Sequence, residues 1–414
     1  MILRNKLAHT PSKRLKTDVK LDFDFTSEDV CNCINVERKG KGVGTVYSTH
    51  PYRLKGNAKL VFSDGKNGYF VTERGYFITT DAYYCEILLS RPTGELCYCA
   101  YRDGIIVSSS GYVTDYLVGK TVIPLLQDGF SDLTCCNDRV FGLNNQEVVY
   151  AEAGTADGWS NGQTLTLATP CDALVTVGGK VYALGNTCYA ISPDAEDVAF
   201  KLTHFASNVG TVSRTSIVNY DDKALFASRN GLYLISSNKI TPIFQRLNEF
   251  FDMSDAAATY FKGKVYLSCK SRRNDAAAND VTLCLDIDDE EVCGVLDGGY
   301  SSLAATDTYI CGVKGIEGIS FSESSAYGVY VKSNIDFDCS AKKFLDALTI
   351  KTFSDITLTI RSENETRMYT LTGKNSEQKI KIRGMGWRFS IELTASSGLY
   401  VDKLQLEAHV CEEV

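Results

Sequence analysis

A short ribbon that keeps returning constrains the fold of this chain more than any other feature. Residues 214–236, "RTSIVNYDDKALFASRNGLYLIS", hold three apolar runs: Ile217-Val218, Leu225-Phe226 and Leu232-Tyr233-Leu234-Ile235. Asp221-Asp222 and Asn230-Gly231 separate them. Runs this short, joined by two-residue turns, pair as neighbours in an antiparallel sheet. "ALVTVGGKVYALGNTCYAIS" (173–192) repeats the plan around Gly178-Gly179 and Gly185-Asn186. The same shape recurs in "NGYFVTERGYFIT", "DGIIVSSSGYV", "NDRVFGLNNQEVVYA", "KGKVYLSCK" and "DTYICGVKGIEGISF". The first tight turn of each unit falls at Gly68, Gly104, Asp138, Gly179, Asp222, Gly263 and Asp307, at intervals of 34 to 44 residues.

That period suits four-stranded propeller blades, each of which covers its neighbour's apolar face. The chain therefore reads as all-β: a β-propeller of six or seven four-stranded blades over residues 57–334, preceded by an N-terminal arm and leading strands at 1–56. The units are divergent. No Trp-Asp dipeptide closes them, since the only tryptophans are Trp159 and Trp387. One stretch breaks the strand texture: "TPIFQRLNEFFD" (241–252) spaces Ile243, Leu247, Phe250 and Phe251 as a helix would after a first-turn proline. A short amphipathic helix on the propeller rim is predicted there.

From about residue 335 the pattern alternates strictly. In "GMGWRFSIEL", Trp387, Phe389, Ile391 and Leu393 fall on one face, and Arg388, Ser390, Glu392 and Thr394 on the other. Period two with one polar face predicts a small C-terminal antiparallel β domain, sandwich-like, at 335–414.

Composition narrows the function classes. No apolar run approaches the roughly 18 residues of a membrane span, so no membrane-spanning segment is expected. Charges interrupt the first 20 residues, which do not read as a signal peptide. The 15 cysteines are odd in number, form no CxxC, and sit mostly in apolar runs such as "TLCLDI" and "YLSCK". They read as small buried hydrophobes of a chain assembled in a reducing cytoplasm, with no disulfide network. His9, His50, His204 and His409 are far apart, and no metal site is expected. "RKGKGVGT" (38–45) lacks the spacing of a phosphate loop and reads as a flexible loop, while "DIDDEEVCG" (286–294) reads as a solvated turn. No G-x-S-x-G motif and no marked acid pair occur. The expectation is no enzyme: no catalytic residue, no cofactor and no metal.

Charge is uneven. Arg4, Lys6, Lys13, Arg14, Lys16 and Lys20 face only Asp18 within residues 1–20, a balance of +5, which leaves −13 on the rest of a chain whose total is −8. These six are the candidate interaction residues, on an arm that is either solvated or bridging to another subunit.

The segment Ser207–Phe251, "SNVGTVSRTSIVNYDDKALFASRNGLYLISSNKITPIFQRLNEFF", resembles one common in tailed-bacteriophage virion proteins, and "GMGWRFSIEL" looks like a strand such proteins carry near their end. The relatives are tail nozzle and packaged-DNA-stabilisation proteins of short-tailed phages. The resemblance implies a structural virion protein of the tail, assembled in the bacterial host cytoplasm. It implies a homo-oligomer, a hexameric ring, that continues the DNA channel below the portal and adaptor. Its partners would be neighbouring tail, adaptor or portal proteins, with transient genomic DNA touched without sequence specificity. Two other readings stay open. Exposed aromatics clustered at one rim would favour a baseplate or receptor-binding module, and a deep acidic pocket would favour a propeller enzyme or cellular adaptor.

Overall fold

The structure, a computed structural model, describes residues 18–22, 36–39, 42–45, 48–79, 81, 85–88, 94–109, 114–125, 129–161, 163–194, 199–236, 238–272, 276–322, 328–335, 337, 341–396 and 398–410. The chain forms two compact units: residues 49–290 with 298–322, and residues 1–48 with 291–297 and 323–414. Their bounds differ from the expected 1–56, 57–334 and 335–414, because strands from both ends of the chain share one unit.

Four strands come first: β1 (Asp18–Asp22), β2 (Val36–Lys39), β3 (Gly42–Thr45) and β4 (Ser48–Pro51). The blades follow. Blade 1 is β5 to β8 (Ala58–Ser63, Gly68–Thr72, Gly75–Thr79, Cys85–Leu88) and blade 2 is β9 to β12 (Leu96–Tyr101, Gly104–Ser109, Thr114–Val118, Thr121–Leu125). Blade 3 is β13 to β16 (Asp132–Cys136, Arg139–Asn144, Glu147–Tyr150, Gln163–Thr166) and blade 4 is β17 to β20 (Cys171–Val177, Lys180–Gly185, Thr187–Pro193, Phe200–Ser207). Blade 5 is β21 to β24 (Val218–Tyr220, Lys223–Ser228, Gly231–Ser236, Lys239–Ile243), and β25 to β27 (Phe251–Phe261, Lys264–Ser271, Val281–Asp286) form blade 6 within the same unit. After β28 (Glu291–Asp297), blade 7 consists of β29 to β31 (Ser302–Ala305, Ile310–Lys314, Glu317–Ser322) with β4 as its fourth strand.

The blade count is seven. The innermost strands β5, β9, β13, β17, β21, β25 and β29 touch in that order, and β29 returns to β5, closing the ring. An N-terminal strand completes the last blade: beyond β4, Tyr52 N donates to Gly318 O at 2.7 Å and Ala58 N to Ile316 O at 2.9 Å. The first tight turn of each unit lies at the junction of a blade's first two strands. Asn137-Asp138, Gly178-Gly179 and Lys262-Gly263 all have positive φ, as a hairpin matched to the strand twist requires.

The propeller core lies between blades. Phe62, Tyr69 and Tyr76 of blade 1 pack with Ile105 and Leu117 of blade 2. Phe141 and Tyr150 of blade 3 meet Leu174 and Val181 of blade 4, and Tyr182 and Leu184 of blade 4 meet Phe226 and Ile235 of blade 5. Middle strands are therefore covered on both faces, and β6, β7 and β10 are buried throughout.

The predicted rim helix is corrected. Only Leu247–Phe250 is helical, one turn long; Thr241, Pro242 and Ile243 belong to β24, and Phe251 opens β25. Pro242 suits the outermost strand of a blade, whose outer edge needs no backbone donor, as does Pro124 in β12. Leu247 is buried, but Phe250 is 59% exposed.

The other unit is a sandwich. β32 (Gly328–Ile335), β33 (Lys343–Thr352), β34 (Ile356–Ser362), β35 (Thr366–Leu371), β36 (Gln378–Gly386), β37 (Phe389–Ala395) and β38 (Tyr400–Val410) form its frame. One sheet runs β32-β37-β34-β35; in the other, β38 and β36 flank β33, with β1 and β3 pairing to β38 and β2 lying between β3 and β28. Tyr330, Leu345, Leu348, Leu358, Ile391 and Leu406 are among the side chains packed between the sheets. The alternation holds within β37, where Phe389, Ile391 and Leu393 are buried, but Trp387 lies before the strand in the turn and is 41% exposed. "RKGKGVGT" is largely a hairpin, not a loop: β2 and β3 pair from Val36↔Thr45 to Lys39↔Gly42.

The basic arm is described only at its C-terminal end. Arg4, Lys6, Lys13, Arg14 and Lys16 lie outside the described residues. Lys20 sits in β1, opposite Glu407 of the same chain's β38, so that end of the arm is a strand of its own unit. Val19 and Leu21 alternate with charged residues along this strand, a period-two pattern that suits a strand.

Candidate functional site at the propeller axis

The densest polar network lies where the inner strands converge. Asp132 opens β13 and is fully buried, with 0% exposure. Its Oδ1 accepts Arg214 Nε at 2.5 Å, and its Oδ2 accepts the backbone N–H of Leu174 in β17 at 2.6 Å. Arg214 reaches it from the short 3-10 turn Arg214–Ser216 ahead of blade 5. Its Nη2 donates to Tyr98 O in β9 at 3.5 Å, and its guanidinium lies 5.8 Å from the centre of the Tyr98 ring. One side chain thus spans from the start of blade 5 to the inner strands of blades 2 and 3, a path that crosses the axis. Its side chain keeps 31% exposure, whereas that of Asp132 has none.

The flanking residues of that turn grip the other side. Ser213 Oγ and Thr215 Oγ1 both donate to Ala256 O in β25, at 2.6 and 2.9 Å. Ser216 Oγ donates to Ser213 O and accepts Ala227 N, fixing the turn on blade 5. Gly210 must be glycine: a Cβ there would come within 2.2 Å of Gly185 O in blade 4. Farther along the axis Thr134 and Thr176 share a hydroxyl bond at 2.9 Å, and Asn219 Nδ2 donates to Thr176 O at 3.2 Å.

Burial raises the carboxyl pKa of Asp132, and the Arg214 charge opposes that rise. Burial also disfavours the Arg214 charge, but the attraction of Asp132 outweighs it, so the guanidinium is held charged. Each of the two carboxylate oxygens has a donor. The pair is a cross-link.

A five-residue repeat explains how the network is built. Gly129-Phe130-Ser131-Asp132-Leu133 and Gly299-Tyr300-Ser301-Ser302-Leu303 begin blades 3 and 7. In each, the aromatic backbone N–H donates to a serine of the preceding blade, Phe130 to Ser108 Oγ at 2.9 Å and Tyr300 to Ser268 Oγ at 2.6 Å. In each, the ring lies over a glycine of the second strand: a Cβ on Gly142 would meet Phe130, and one on Gly312 would meet Tyr300. The fourth residue reaches the next blade's inner strand. Ser302 Oγ contacts Val61 N and O of blade 1, both at 3.1 Å, where Asp132 instead accepts Leu174 N of blade 4. The longer, charged Asp has a second oxygen, and Arg214 takes it. Sequence reasoning missed Asp132 and Arg214; the recurring Gly-aromatic-Ser-x-Leu was the available signal.

Other sites are weaker. Two open grooves lie on the sandwich unit. One of about 400 Å³ is lined by Asp355, Thr357, Thr370, Thr394 and Ser396, and one of about 240 Å³ by Arg361, Ser362, Glu363, Arg388 and Ser390. Among the described residues no group of three His, Cys, Asp or Glu could hold a metal ion, and no helix is long and apolar enough to cross a membrane. Ten cysteines have described side chains; none of these is in a disulfide, and all but Cys135 are buried.

No protein-family model and no curated protein sequence matches the chain. Solved structures similar to it are propellers of low identity. U3-55K has 8% identity and a TM-score of 0.48 over 66% of this chain and 98% of its own. The RRP9 WD40 repeats have 7% and 0.48 over 67% and 99%, and BamB from Moraxella catarrhalis has 10% and 0.41 over 75% and 98%. At these identities the likeness concerns the fold alone, an all-β propeller.

Proposed function

We propose that this chain is a structural, non-catalytic component of a phage tail, present in several copies as a ring and assembled in the bacterial cytoplasm. The observation that carries the reading is Ser207–Phe251. The stretch that resembles tail virion proteins is also the stretch whose Ser213, Arg214 and Thr215 bind blades 6, 3 and 2 together. A propeller cross-linked through its own axis suits a load-bearing part better than a ligand cup. Arg214 obstructs the propeller's own channel, so passing DNA would use a larger opening on the ring axis, between copies. The propeller unit has 22 basic and 30 acidic residues against 21 of each in the other unit, so its surface would repel DNA and let it slide. Neighbouring tail, adaptor or portal proteins are the expected partners.

Copy number in an intact particle tests the reading. Several symmetric copies per tail are expected; a single copy, or absence from purified particles, would sink it. Robust hydrolysis of a glycan, ester or nucleotide, abolished by one Asp or Glu substitution, would replace it with an enzyme.

A further inference from the structure

Five of the eight large apolar side chains exposed among the described residues, Phe353, Met368, Met385, Trp387 and Tyr400, belong to the sandwich unit. Two of them continue a row on β36. Lys379, Lys381, Arg383 and Met385 are exposed, as is Trp387 just beyond, while Ile382, Gly384 and Gly386 between them are buried. Met385 pairs with Phe344, whose ring lies 5.2 Å from that of His409, so the row borders an aromatic strip. Lys381 and Arg383 have no ion-pair partner among the described residues, whereas Lys379 is held by Glu407 at 2.6 Å.

The tip of this row is built rigidly. Glu363 accepts the N–H groups of Trp387 at 3.1 Å and Arg388 at 2.7 Å, and Glu365 accepts that of Met385 at 3.2 Å. From below, Lys343, only 1% exposed, donates to Trp387 O at 2.9 Å. Gly386 is required, because a Cβ would come within 2.8 Å of Glu363 and Ser362. A buried lysine and two carboxylates thus fix the backbone around a tryptophan that keeps 41% exposure. Packing within the chain gains little from that, whereas a pre-ordered exposed Trp is the usual anchor of a protein interface.

We propose that the row Lys381, Arg383, Met385 and Trp387 docks onto the acidic propeller unit of a second copy of this chain. The inference rests on the ring reading above and names the surface that would make the ring. Charge selects the occupant: the propeller unit carries all of the net charge of −8, the sandwich unit is neutral, and unpaired cations flank the exposed Trp. A nucleic acid fits less well, because Glu363, Glu365, Asp346 and Glu407 stand among the cations and would face its phosphates. A protein surface can present an apolar pocket for Trp387 and carboxylates for Lys381 and Arg383 together.

Sedimentation velocity of the full-length protein across a concentration series, at low and high salt, tests this. The wild type should self-associate, less so at high salt. Trp387→Ala and the double variant K381E/R383E should each weaken association at least about tenfold, as loss of a hot-spot anchor does. Met368→Ala, exposed on β35, should leave it unchanged. Circular dichroism melts, to which the sandwich strands contribute, report that each variant remains folded. Wild-type association that survives in W387A and K381E/R383E would refute this surface while leaving the ring reading intact. A wild type that stays monomeric to its solubility limit would refute the second copy. Binding of a labelled single-stranded oligonucleotide by that monomer, lost in K381E/R383E, would assign the surface to nucleic acid instead.

Discussion

Replacing Arg214 by methionine separates a cross-link from a mere neighbour of Asp132. Asp132 is fully buried and Arg214 supplies one of its two donors, so the variant strands a carboxylate with only the Leu174 N–H. Removing one partner of a buried pair costs about 3–5 kcal/mol. Asp132→Leu is milder, because Arg214 keeps 31% exposure and can take water; its main cost is the Leu174 N–H left unpaired, about 1–3 kcal/mol. The double variant D132L/R214M carries no stranded charge and retains only that second cost. The cycle should therefore show a favourable coupling of about 3–5 kcal/mol, the cost of the stranded carboxylate that the double variant lacks. pH gives an independent sign. Without Arg214, the Asp132 pKa rises further above its unfolded value, because an opposing influence is gone. A group with a raised folded pKa stabilises below its unfolded pKa and loses that contribution as pH rises through the folded one. The gap between wild type and R214M should thus be widest at alkaline pH and narrow on acidification. Urea unfolding followed by Trp159 fluorescence in a Trp387→Phe background reads the propeller alone, since Trp159 is buried against Phe130 at 4.6 Å. Additive single effects together with a pH-independent gap would refute the cross-link.

Three further outcomes are expected. Ser302→Ala should lower propeller stability by about 1–3 kcal/mol through loss of its bonds to Val61; Ser302→Asp should be worse, and equal stability of the two under the same urea assay would contradict the repeat logic. Burial raises the thiol pKa of Cys97, Cys99 and Cys269, and pushes that of the partly exposed Cys135 up to about 11. Peptide-level mass spectrometry of the native protein with iodoacetamide should find Cys135 modified before those three; Cys97 reacting as fast would show that the blade 2 core opens. Deleting residues 2–17 should leave sandwich stability unchanged, whereas deleting 2–22 also removes the five-residue β1 and should lower it, read by Trp387 fluorescence in a Trp159→Phe background; equal unfolding midpoints would argue that β1 contributes nothing.

Turn chemistry and local period made the propeller legible. Asn137-Asp138, Gly178-Gly179 and Lys262-Gly263 specify their hairpins by conformations that few residue pairs adopt, so the spacing of turns marked seven units before any tertiary contact was known. Phe389, Ile391 and Leu393 announced a half-buried strand for the same reason, since alternation is a property of a strand and one covered face.

Tertiary structure decided what depends on partners distant in sequence. Thr241-Pro242-Ile243 became an edge strand, not a helix, because β23 offered it a ladder; helical spacing over a few residues cannot outweigh that. β4 completes blade 7 and β1 pairs with β38 across most of the chain length, and no local signal tells a strand which far edge will be vacant. Arg214 and Asp132 are 82 residues apart and read in sequence as an ordinary turn cation and a strand-opening acid. Only closure of the ring brings the blade starts to one axis, where water is scarce enough for a single carboxylate to need that guanidinium.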